Sequence, residues 1–396
     1  MITSINNPFE VCIPRSTIGL GTVSKLGDIV NILGGSKAVI ITDCMLAKTN
    51  LLEKVSTGLK EADIEYVVFD LCEPNAPYDT IQRCVDEVTK NNCDVVVGLG
   101  GGSVMDTAKL TSLWINTGKD IREFVGVNKV EPHQYKILKV LIPTTAGSGS
   151  EWSQNAVFLD RKTGIKSSMS SSHIMADRII IDPEMMADLP PLITGETGVD
   201  ALSHALEAYT AIKATLISDM FAEKVIKLVA ENLPAAYASG GQNMIARYNM
   251  AIAAALGLAA AMSTGGGGVL VHGMAYPLRD FAPVPVSHGT SVSILMPHAM
   301  QFQLISNLHR FAKIAELMGE NVENLSVYEA ASRSVAAVKN LSIIAGVPQR
   351  MRDVKILKED IPKLVDSMFE LRAFHAEASC RPATRDDVRQ IYEDAW

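Results

Sequence analysis

In the first half of the chain, short and continuously apolar runs alternate with longer segments in which apolar residues recur at helical spacing. Four short runs rich in valine, isoleucine and leucine predict β-strands at residues 37–43, 65–69, 94–99 and 139–143. Amphipathic helices are predicted between them, at residues 50–62, 80–91 and 104–116. Continuous apolar strands separated by helices are typical of a parallel sheet covered on both faces. We therefore predict an α/β nucleotide-binding domain over residues 1–190.

The second half has a helical pattern almost throughout. From Ile193 onward, alanine and leucine recur at helical spacing with hardly any strand pattern, which predicts an all-helical domain over residues 191–396. Residues 250–262 are apolar but too short and too rich in alanine for a membrane span, so we expect a buried helix. Four glycines at 265–268 predict a flexible break in this domain.

The length, net charge and cysteines of the chain limit the functions that it can have. A chain of 396 residues is long enough for two domains. The net charge of -8 and the pI near 5.6 argue against a general affinity for nucleic acid or for anionic membranes. Six scattered cysteines without a CxxC pair favour reduced thiols, and no signal peptide is evident at the N-terminus. We therefore expect a cytoplasmic protein.

Two loops rich in glycine and hydroxyl groups follow the third and fourth predicted strands. The first is Gly100-Gly101-Gly102-Ser103, at the start of a predicted helix that carries Asp106 and Lys109. The second runs over residues 144–151. Glycines let the main chain approach a phosphate, and the amides at a helix N-terminus attract an anion. Neither loop is a GxGxxG or P-loop motif, so tight turns and plain surface loops remain open alternatives.

One carboxylate and three imidazoles fall within a single later segment. Asp200 and His204 are four residues apart in a predicted helix over 197–209, and His272 and His288 follow. Residues at i and i+4 share a helix face, so Asp200 and His204 can aim at one point. A carboxylate with imidazoles suits a divalent first-row metal such as zinc or iron(II). The alternative is a set of unrelated core and surface histidines.

Together these blocks resemble the iron-containing, or group III metal-dependent, alcohol dehydrogenase family. The resemblance covers nearly the whole chain, and it is carried by GGGSVMDTAK at 100–109, PTTAGSGSE at 143–151, TGVDALSHALEAY at 197–209, VHGMAYPL at 271–278 and SHGTSVSILMPHAM at 287–300.

The resemblance implies an α/β N-terminal nucleotide-binding domain plus an all-α C-terminal metal-binding domain, and a homo-oligomeric assembly. It implies that one iron(II) or zinc ion is held by Asp200, His204, His272 and His288, which match the family's four ligands. NAD is the implied cofactor, and its candidate binding residues are Asp43, Gly100, Gly101, Gly102, Ser103, Asp106, Thr144, Thr145, Ser148 and Lys166.

Asp43 ends the first predicted strand, where a carboxylate can accept hydrogen bonds from the adenosine ribose hydroxyls. A negative charge at this position would repel the 2′-phosphate of NADP, so we predict a preference for NAD. The alternative is that Asp43 is only a turn or cap residue.

The implied reaction is hydride transfer between NAD and an alcohol or aldehyde whose oxygen is polarised by the metal. It requires no separate catalytic base. Many family members carry a histidine four residues after the third ligand, but this chain has Tyr276, whose phenol is the candidate replacement for the proton relay.

Three residues are candidate contacts with the substrate: Ser150, Tyr276 and Arg279. A guanidinium near the metal can pair with an anionic group, so we consider a short anionic aldehyde such as sulfoacetaldehyde. Arg279 could instead make a surface or intersubunit ion pair. A general short-chain alcohol or diol dehydrogenase, a dehydroquinate-synthase-like lyase and a non-catalytic nucleotide sensor are the alternative functions.

Overall fold

The chain folds into two compact units in a computed structural model that describes residues 11–264 and 269–396. The α/β unit comprises Cys12–Thr145 and Gly149–Asp188, and the helical unit includes Ala146–Ser148 and Leu189–Trp396. The predicted division at residue 190 differs from these units because residues 146–148 belong to the helical unit. The predicted glycine break at 265–268 lies outside the described residues.

The α/β unit is built on a six-stranded sheet whose paired strands are all parallel, in the order β1-β9-β6-β4-β2-β3. Its strands are β1 (Ser16–Ile18), β2 (Lys37–Asp43), β3 (Glu65–Cys72), β4 (Val95–Gly100), β6 (Leu138–Pro143) and β9 (Arg178–Ile181). The second sheet has the order β5-β8-β7 and contains β5 (Gly126–Val127), β7 (Asn155–Asp160) and β8 (Ile165–Ser170).

Both faces of the parallel sheet are buried. Ile40 and Val97 join one hydrophobic cluster with residues of the helices α1 and α2. Their chain neighbours Ile41 and Val96 point to the opposite face and are also fully buried. The helices of this unit are α1 (Leu26–Leu33), α2 (Asn50–Glu61), α3 (Tyr78–Lys90) and α4 (Gly102–Thr117). This is the covered parallel sheet that the continuous apolar runs predict.

Five strands were not predicted from the sequence: β1, β5, β7, β8 and β9. Two of them, β1 and β5, have only three and two residues. In β8 the sequence IKSSMS is largely polar, and the strand forms because it pairs antiparallel with β7. Whether these segments form strands therefore depends on pairing with a neighbouring strand, which no local sequence pattern reveals.

The helical unit contains nine helices within the described residues. They are α5 (Pro191–Thr210), α6 (Leu216–Ser239), α7 (Met244–Met262), α8 (Leu270–Phe281), α9 (His288–Gln303), α10 (Leu308–Leu317), α11 (Val327–Ile344), α12 (Ile361–Glu377) and α13 (Arg385–Ala395). α5, α6 and α7 pack on one another, while α8 packs on α9 and α12.

Among the described residues, α7 alone is long and apolar enough to cross a membrane by length and composition. Within its most apolar stretch, 61% of the residues are buried inside the protein. Alanines dominate the buried positions of α7, which lets neighbouring helices approach closely. This burial is typical of a core helix, as the sequence predicts for residues 250–262.

Candidate functional site

Helix α5 carries the two candidate metal ligands that lie four residues apart. It is buried without interruption from residue 198 to residue 210. Asp200 and His204 lie on one face of the helix, one turn apart, and each is only 5% exposed. α7 approaches this face closely because residue 257 is a glycine: a Cβ at Gly257 would lie 2.9 Å from a backbone oxygen of α5 and 3.5 Å from His204 Cβ.

His272, in the first turn of α8, joins these two residues. Asp200, His204 and His272 each offer one ligand atom, and the three atoms lie within 4.8 Å of one another. Asp200 Oδ1, His204 Nδ1 and His272 Nε2 are buried and have no hydrogen-bond partner. An unpaired buried polar atom costs folding free energy, so three neighbouring residues that each have one are suited to bind a common ligand. One carboxylate oxygen and two imidazole nitrogens fit a divalent iron or zinc ion.

His288, the first residue of α9, lies beside this triad. Its Nε2 is 3.6 Å from Asp200 Oδ1, and its ring centroid is 5.1 Å from that of His272. The side chain is 27% exposed, so it is the most accessible of the four predicted ligands. The structure thus brings together all four residues that the sequence singles out.

The titration of the triad reflects its burial. Burial raises the pKa of the Asp200 carboxyl to about 6, against the opposing effect of the positive charges of His272 and Arg279. Burial also lowers the pKa of His204 well below its ordinary value, and the charge of His272 adds to this effect. His204 is therefore neutral and keeps a free lone pair, the form in which histidine binds a metal.

A cap fixes His288 at the start of α9. Ser287 Oγ accepts the Thr290 amide at 3.0 Å, and Thr290 Oγ1 donates to Glu196 Oε1 at 2.5 Å. Residue 289 must be a glycine, because a Cβ there would lie 2.1 Å from the Glu196 carbonyl oxygen. α9 is thereby held against α5, the helix that carries Asp200.

Tyr276 and Arg279 lie next to His288, and Arg372 lies next to Tyr276. The Tyr276 ring centroid is 5.9 Å from that of His288, and Arg279 Nη1 is 3.5 Å from His288 Nδ1. Arg372 lies over the Tyr276 ring at 4.5 Å and pairs with Asp280 at 3.8 Å. Arg372 is 9% exposed and interrupts the helical backbone of α12. Arg279 is partly buried and lies beside the histidines.

The first glycine-rich loop joins β4 to α4. Gly101 is the N-cap of α4, and Ser103 Oγ accepts the Asn75 amide at 3.0 Å. A Cβ at Gly100 would lie 2.6 Å from Val104 Cβ, so packing alone requires a glycine at this position. Gly102 is the first residue of α4. The amides of a helix N-terminus are therefore exposed to any anion that binds at this loop.

Asp106, Lys109 and Ser150 form a hydrogen-bonded network inside the α/β unit. Asp106 accepts the Ser150 hydroxyl at 2.7 Å and the Val157 amide at 3.1 Å. Lys109 is fully buried, and its Nζ donates to the carbonyl oxygens of Ser150 and Asn155 at 2.5 and 2.9 Å. Two polar side chains of α4 thus fix the position of Ser150, at the end of the second loop.

The remaining cofactor candidates are distributed around these loops. Asp43 Oδ1 accepts the amides of Met45 and Leu46 at 2.9 and 3.0 Å, so one of its oxygens stabilises a turn. The Thr144 amide donates to the Gly100 carbonyl oxygen at 3.0 Å, and the Thr145 side chain would lie 3.4 Å from a Cβ placed on Gly101.

Lys166 lies on β8, opposite Leu159 in the hairpin that β8 forms with β7. Ser148 belongs to the helical unit, where its neighbour Gly147 packs against Thr197: a Cβ at residue 147 would lie 2.6 Å from Thr197 Cβ.

Both units match family descriptions along almost their whole length. Residues 14–183 match "Iron-containing alcohol dehydrogenase", and residues 194–396 match "Fe-containing alcohol dehydrogenase family, C-terminal". The chain belongs to the iron-containing alcohol dehydrogenase family. The predicted fold class and the predicted class of metal-containing alcohol dehydrogenase are thereby confirmed.

Relatives of this dehydrogenase match it from end to end. It is 37% identical over 382 residues to the NAD-dependent methanol dehydrogenase of Bacillus methanolicus, covering 96% of this chain and 98% of the relative. It is 34% identical to the 1,3-propanediol dehydrogenase of Citrobacter freundii, with 98% and 99% covered. Identity to the sulfoacetaldehyde reductase of Bilophila wadsworthia (strain 3_1_6) is 32%, with 95% of each covered. A crystal structure of 1,3-propanediol oxidoreductase superposes with a TM-score of 0.93 at 32% identity, covering 98% and 100%.

Sequence reasoning missed two residues that surround the metal-ligand candidates of this dehydrogenase. Glu207 is on α5, three residues after His204, and it accepts a hydrogen bond from His272. Arg372 reaches Tyr276 from α12. A carboxylate one turn beyond His204 was visible in the predicted helix 197–209, but nothing in the sequence linked Arg372 to this site.

Proposed function

We propose that this iron-containing alcohol dehydrogenase interconverts short-chain aldehydes and alcohols with NAD(H) at a metal centre formed by Asp200, His204, His272 and His288. Two observations carry the proposal: Asp200, His204 and His272 each offer a ligand atom within 4.8 Å of the others, and each has a buried polar atom without a hydrogen-bond partner. The NAD-dependent methanol dehydrogenase, the 1,3-propanediol dehydrogenase and the lactaldehyde reductase among its relatives support the reaction class.

The four residues would hold the ion, and their environment sets its properties. When bound, the metal supplies a Lewis acid for the substrate oxygen, and NAD supplies or accepts the hydride. Asp200 contributes a negative charge to the centre, and burial keeps His204 neutral. Burial of Asp200, His204 and His272 excludes water, which strengthens their electrostatic effect on a bound substrate.

Proton transfer falls to groups near His288, the exposed side of the site. The Tyr276 ring lies next to that of His288, and we propose that its hydroxyl exchanges the substrate proton. His375, whose ring centroid is 6.4 Å from that of Tyr276, is a second titratable group on this side. No further catalytic base is needed, because the substrate oxygen exchanges its proton at the exposed side of the centre.

The α/β unit is the proposed NAD-binding unit. Gly101 and the first turn of α4 would bind the pyrophosphate, because helix N-terminal amides attract anions. We propose that the Asp43 carboxylate also accepts the ribose hydroxyls, in addition to the two amides that it binds in its turn. Lys166, Ser148, Thr144 and Thr145 are the further proposed contacts.

A short aldehyde that carries an anionic group is the proposed substrate. The guanidinium group of Arg279 lies beside His288, and that of Arg372 lies over the Tyr276 ring. Guanidinium forks match sulfonate and carboxylate oxygens. The sulfoacetaldehyde reductase relative supports this class, and sulfoacetaldehyde is the specific candidate.

A general alcohol or diol dehydrogenase is the second candidate function. The methanol and propanediol dehydrogenases, which act on neutral substrates, are more similar in sequence than the sulfoacetaldehyde reductase. In that case Arg279 and Arg372 would serve only to order Tyr276 and His288. The dehydroquinate-synthase-like lyase predicted as an alternative gains no support from the relatives named above.

The deciding experiment is NADH-dependent reduction of an aldehyde panel by protein of known iron and zinc content. Propanal and lactaldehyde are the neutral members, and sulfoacetaldehyde and succinic semialdehyde are the anionic ones. We expect kcat/KM for the anionic aldehydes to exceed that for the neutral ones, and Arg279→Ala to remove that advantage by about ten- to hundredfold. Arg15→Ala, at an exposed arginine of the α/β unit, is the control. Equal kcat/KM for both classes in the wild type would establish the second candidate.

Iron(II) is the metal that the family name implies, and zinc is the alternative that the same ligand set accepts. We also propose a reducing, cytoplasmic location and a homo-oligomeric state. The six cysteines are free, and Cys72, Cys84 and Cys93 are buried, as in proteins that keep reduced thiols. Metal analysis of purified protein and sedimentation velocity test the metal and the assembly.

A further inference from the structure

Glu207 is a buried carboxylate with three hydrogen-bond donors around it. It lies on α5, one turn after His204, and is 2% exposed. Its Oε2 accepts from His272 Nδ1 and from the Val269 amide at 2.9 Å, and its Oε1 accepts from the Val271 amide at 2.7 Å. A buried carboxylate is costly unless it is fully hydrogen-bonded, so this arrangement is specific rather than incidental.

We propose that Glu207 is a positioning residue that fixes the orientation and tautomer of His272. A carboxylate accepts hydrogen bonds only, so Nδ1 of the His272 ring carries a proton, and the neutral ring that binds a metal therefore offers the lone pair of Nε2. Nε2 is also the buried atom of His272 that has no hydrogen-bond partner, and His272 offers a ligand atom within 4.8 Å of those of Asp200 and His204. The proposal rests on the metal centre proposed above.

The same carboxylate defines where α8 begins. The first amides of a helix have no partner within the helix, and Val269, the N-cap residue of α8, makes no cap hydrogen bond with its own side chain. Glu207 accepts the amides of Val269 and Val271, which brings the first turn of α8 against α5. His272 belongs to that turn, so its backbone and its ring are fixed by one side chain of the helix that carries Asp200 and His204.

A glutamine cannot replace this glutamate. Its single oxygen could accept from one side only, and its amide nitrogen would face either the Val271 amide or the His272 ring. In the second case the ring would have to accept at Nδ1 and carry its proton on Nε2, which removes the lone pair from the metal site. The difference between carboxylate and amide is therefore the sharpest probe of the proposal.

The test compares metal affinity, measured by competition of the protein with a chelator for Zn²⁺ and Co²⁺. Four variants are needed: Glu207→Gln, Glu207→Asp, His272→Ala and the control Glu223→Gln, whose carboxylate accepts from the Tyr209 hydroxyl at 2.8 Å in the same unit. We expect Glu207→Gln to lose about ten- to hundredfold in affinity, the range for partners of metal-binding histidines. Glu207→Asp should retain more affinity than Glu207→Gln, and Glu223→Gln should bind as the wild type does.

The thermal midpoint of the metal-free proteins separates positioning from a merely structural role. If Glu207→Gln lowers that midpoint but keeps its Zn²⁺ affinity within about twofold of the wild type, Glu207 is only a helix cap and the proposal is overturned. If His272→Ala also binds Zn²⁺ like the wild type, the proposed metal centre itself is wrong. If His272→Ala loses Zn²⁺ affinity but Glu207→Gln does not, the role of Glu207 is rejected and the metal centre is not.

A measurement on the wild type tests the proposal without any variant of Glu207. In Zn²⁺-loaded protein labelled with ¹⁵N at histidine, the His272 signals, assigned by their absence in His272→Ala, should show a protonated Nδ1 and a metal-bound Nε2. Observation of a protonated Nε2 instead would overturn the proposal.

Discussion

The two units treat their buried polar groups differently. In the α/β unit, Asp106, Lys109 and Ser150 satisfy one another, and the result is a fixed pair of loops. In the helical unit, Asp200, His204 and His272 leave one atom each without a hydrogen bond, and the three residues offer ligand atoms within 4.8 Å of one another. The polar groups of the α/β unit are hydrogen-bonded to one another, whereas those of the helical unit keep atoms that can bind a ligand.

Glu151 shows that an unpaired atom by itself does not make a site. Its Oε2 is buried without a hydrogen-bond partner, as in the metal-ligand triad. No ligand group of three or more histidine, cysteine, aspartate or glutamate residues that includes Glu151 occurs among the described residues. A lone buried carboxyl takes up a proton instead of binding a metal. Convergence is therefore the property that distinguishes the two units.

The largest effect should follow from loss of a convergent atom. We expect His204→Ala to abolish stoichiometric metal binding and to lower kcat by about three orders of magnitude, since the Lewis acid contributes several kcal/mol to the transition state. Metal content and kcat should be compared with those of His309→Ala, which changes an exposed histidine of the same unit. Full metal content in His204→Ala would show that the unpaired atom of His204 is not needed to bind the metal, and the proposed difference between the two units would then be wrong.

Removal of a buried polar group that is hydrogen-bonded within the protein should instead reduce stability. Lys109→Met leaves the carbonyl oxygens of Ser150 and Asn155 without their buried donor and Asp106 without its ion-pair partner, so we expect the free energy of unfolding to fall by about 3 kcal/mol or more. Urea unfolding in a Trp396→Phe background follows the α/β unit alone, because Trp114 and Trp152 both belong to it.

Lys119→Met, at an exposed lysine, is the matched control for this substitution. The metal affinity of the Lys109→Met protein should equal that of the wild type. A large change in metal affinity, with little change in unfolding, would contradict the scaffolding role of the Lys109 network.

The lone carboxyl of Glu151 predicts a pH dependence of stability. Burial raises its pKa from 4.5 to about 7, with the Lys109 charge acting in the opposite direction. The folded protein then holds a proton that the unfolded chain has released, so stability is lost as the pH rises from about 4.5 to about 7. Glu151→Gln should remove this loss and raise the free energy of unfolding at pH 8 by at most about 3 kcal/mol. The free energy of unfolding should be measured against pH for Glu151→Gln, the wild type and the exposed-site control Glu61→Gln. Parallel profiles for all three proteins would disprove the role of Glu151.

The smallest effect is expected at Asp43, whose carboxylate is only partly used. Asp43→Asn keeps an oxygen for the amides of Met45 and Leu46 but removes the charge. We expect the ratio of kcat/KM for NAD to that for NADP to fall by about tenfold. Asp28→Asn, at an exposed aspartate of α1, provides the control. An unaltered ratio would mean that Asp43 serves only its turn.

Local pattern was sufficient for most of the fold. The predicted helices 50–62, 80–91 and 104–116 agree with α2, α3 and α4 to within two residues, because each has an apolar face and clear end signals. The β7–β8 hairpin was not predictable, since β8 is largely polar and is stabilised by its partner strand. A strand that depends on its partner leaves no periodic signal of its own.

The candidate site divides in the same way. Asp200 and His204 were predictable because helical spacing alone puts them on one face. The contact of Glu207 with His272 was not, because it depends on how α8 packs against α5. Arg372 was also missed, since it contacts Tyr276 from α12 through a break in helical geometry. Sequence therefore predicts which residues one helix presents together, and tertiary packing determines their neighbours.

The spacing of the proposed ligands along the chain has a mechanical consequence. Asp200 and His204 precede α6 and α7, whereas His272 and His288 follow them, so an ion bound by all four would act as a removable cross-link around two helices. A ligand that binds only the folded state adds to its stability. The supply of metal would then govern how well this protein resists proteolysis, in addition to its catalytic rate.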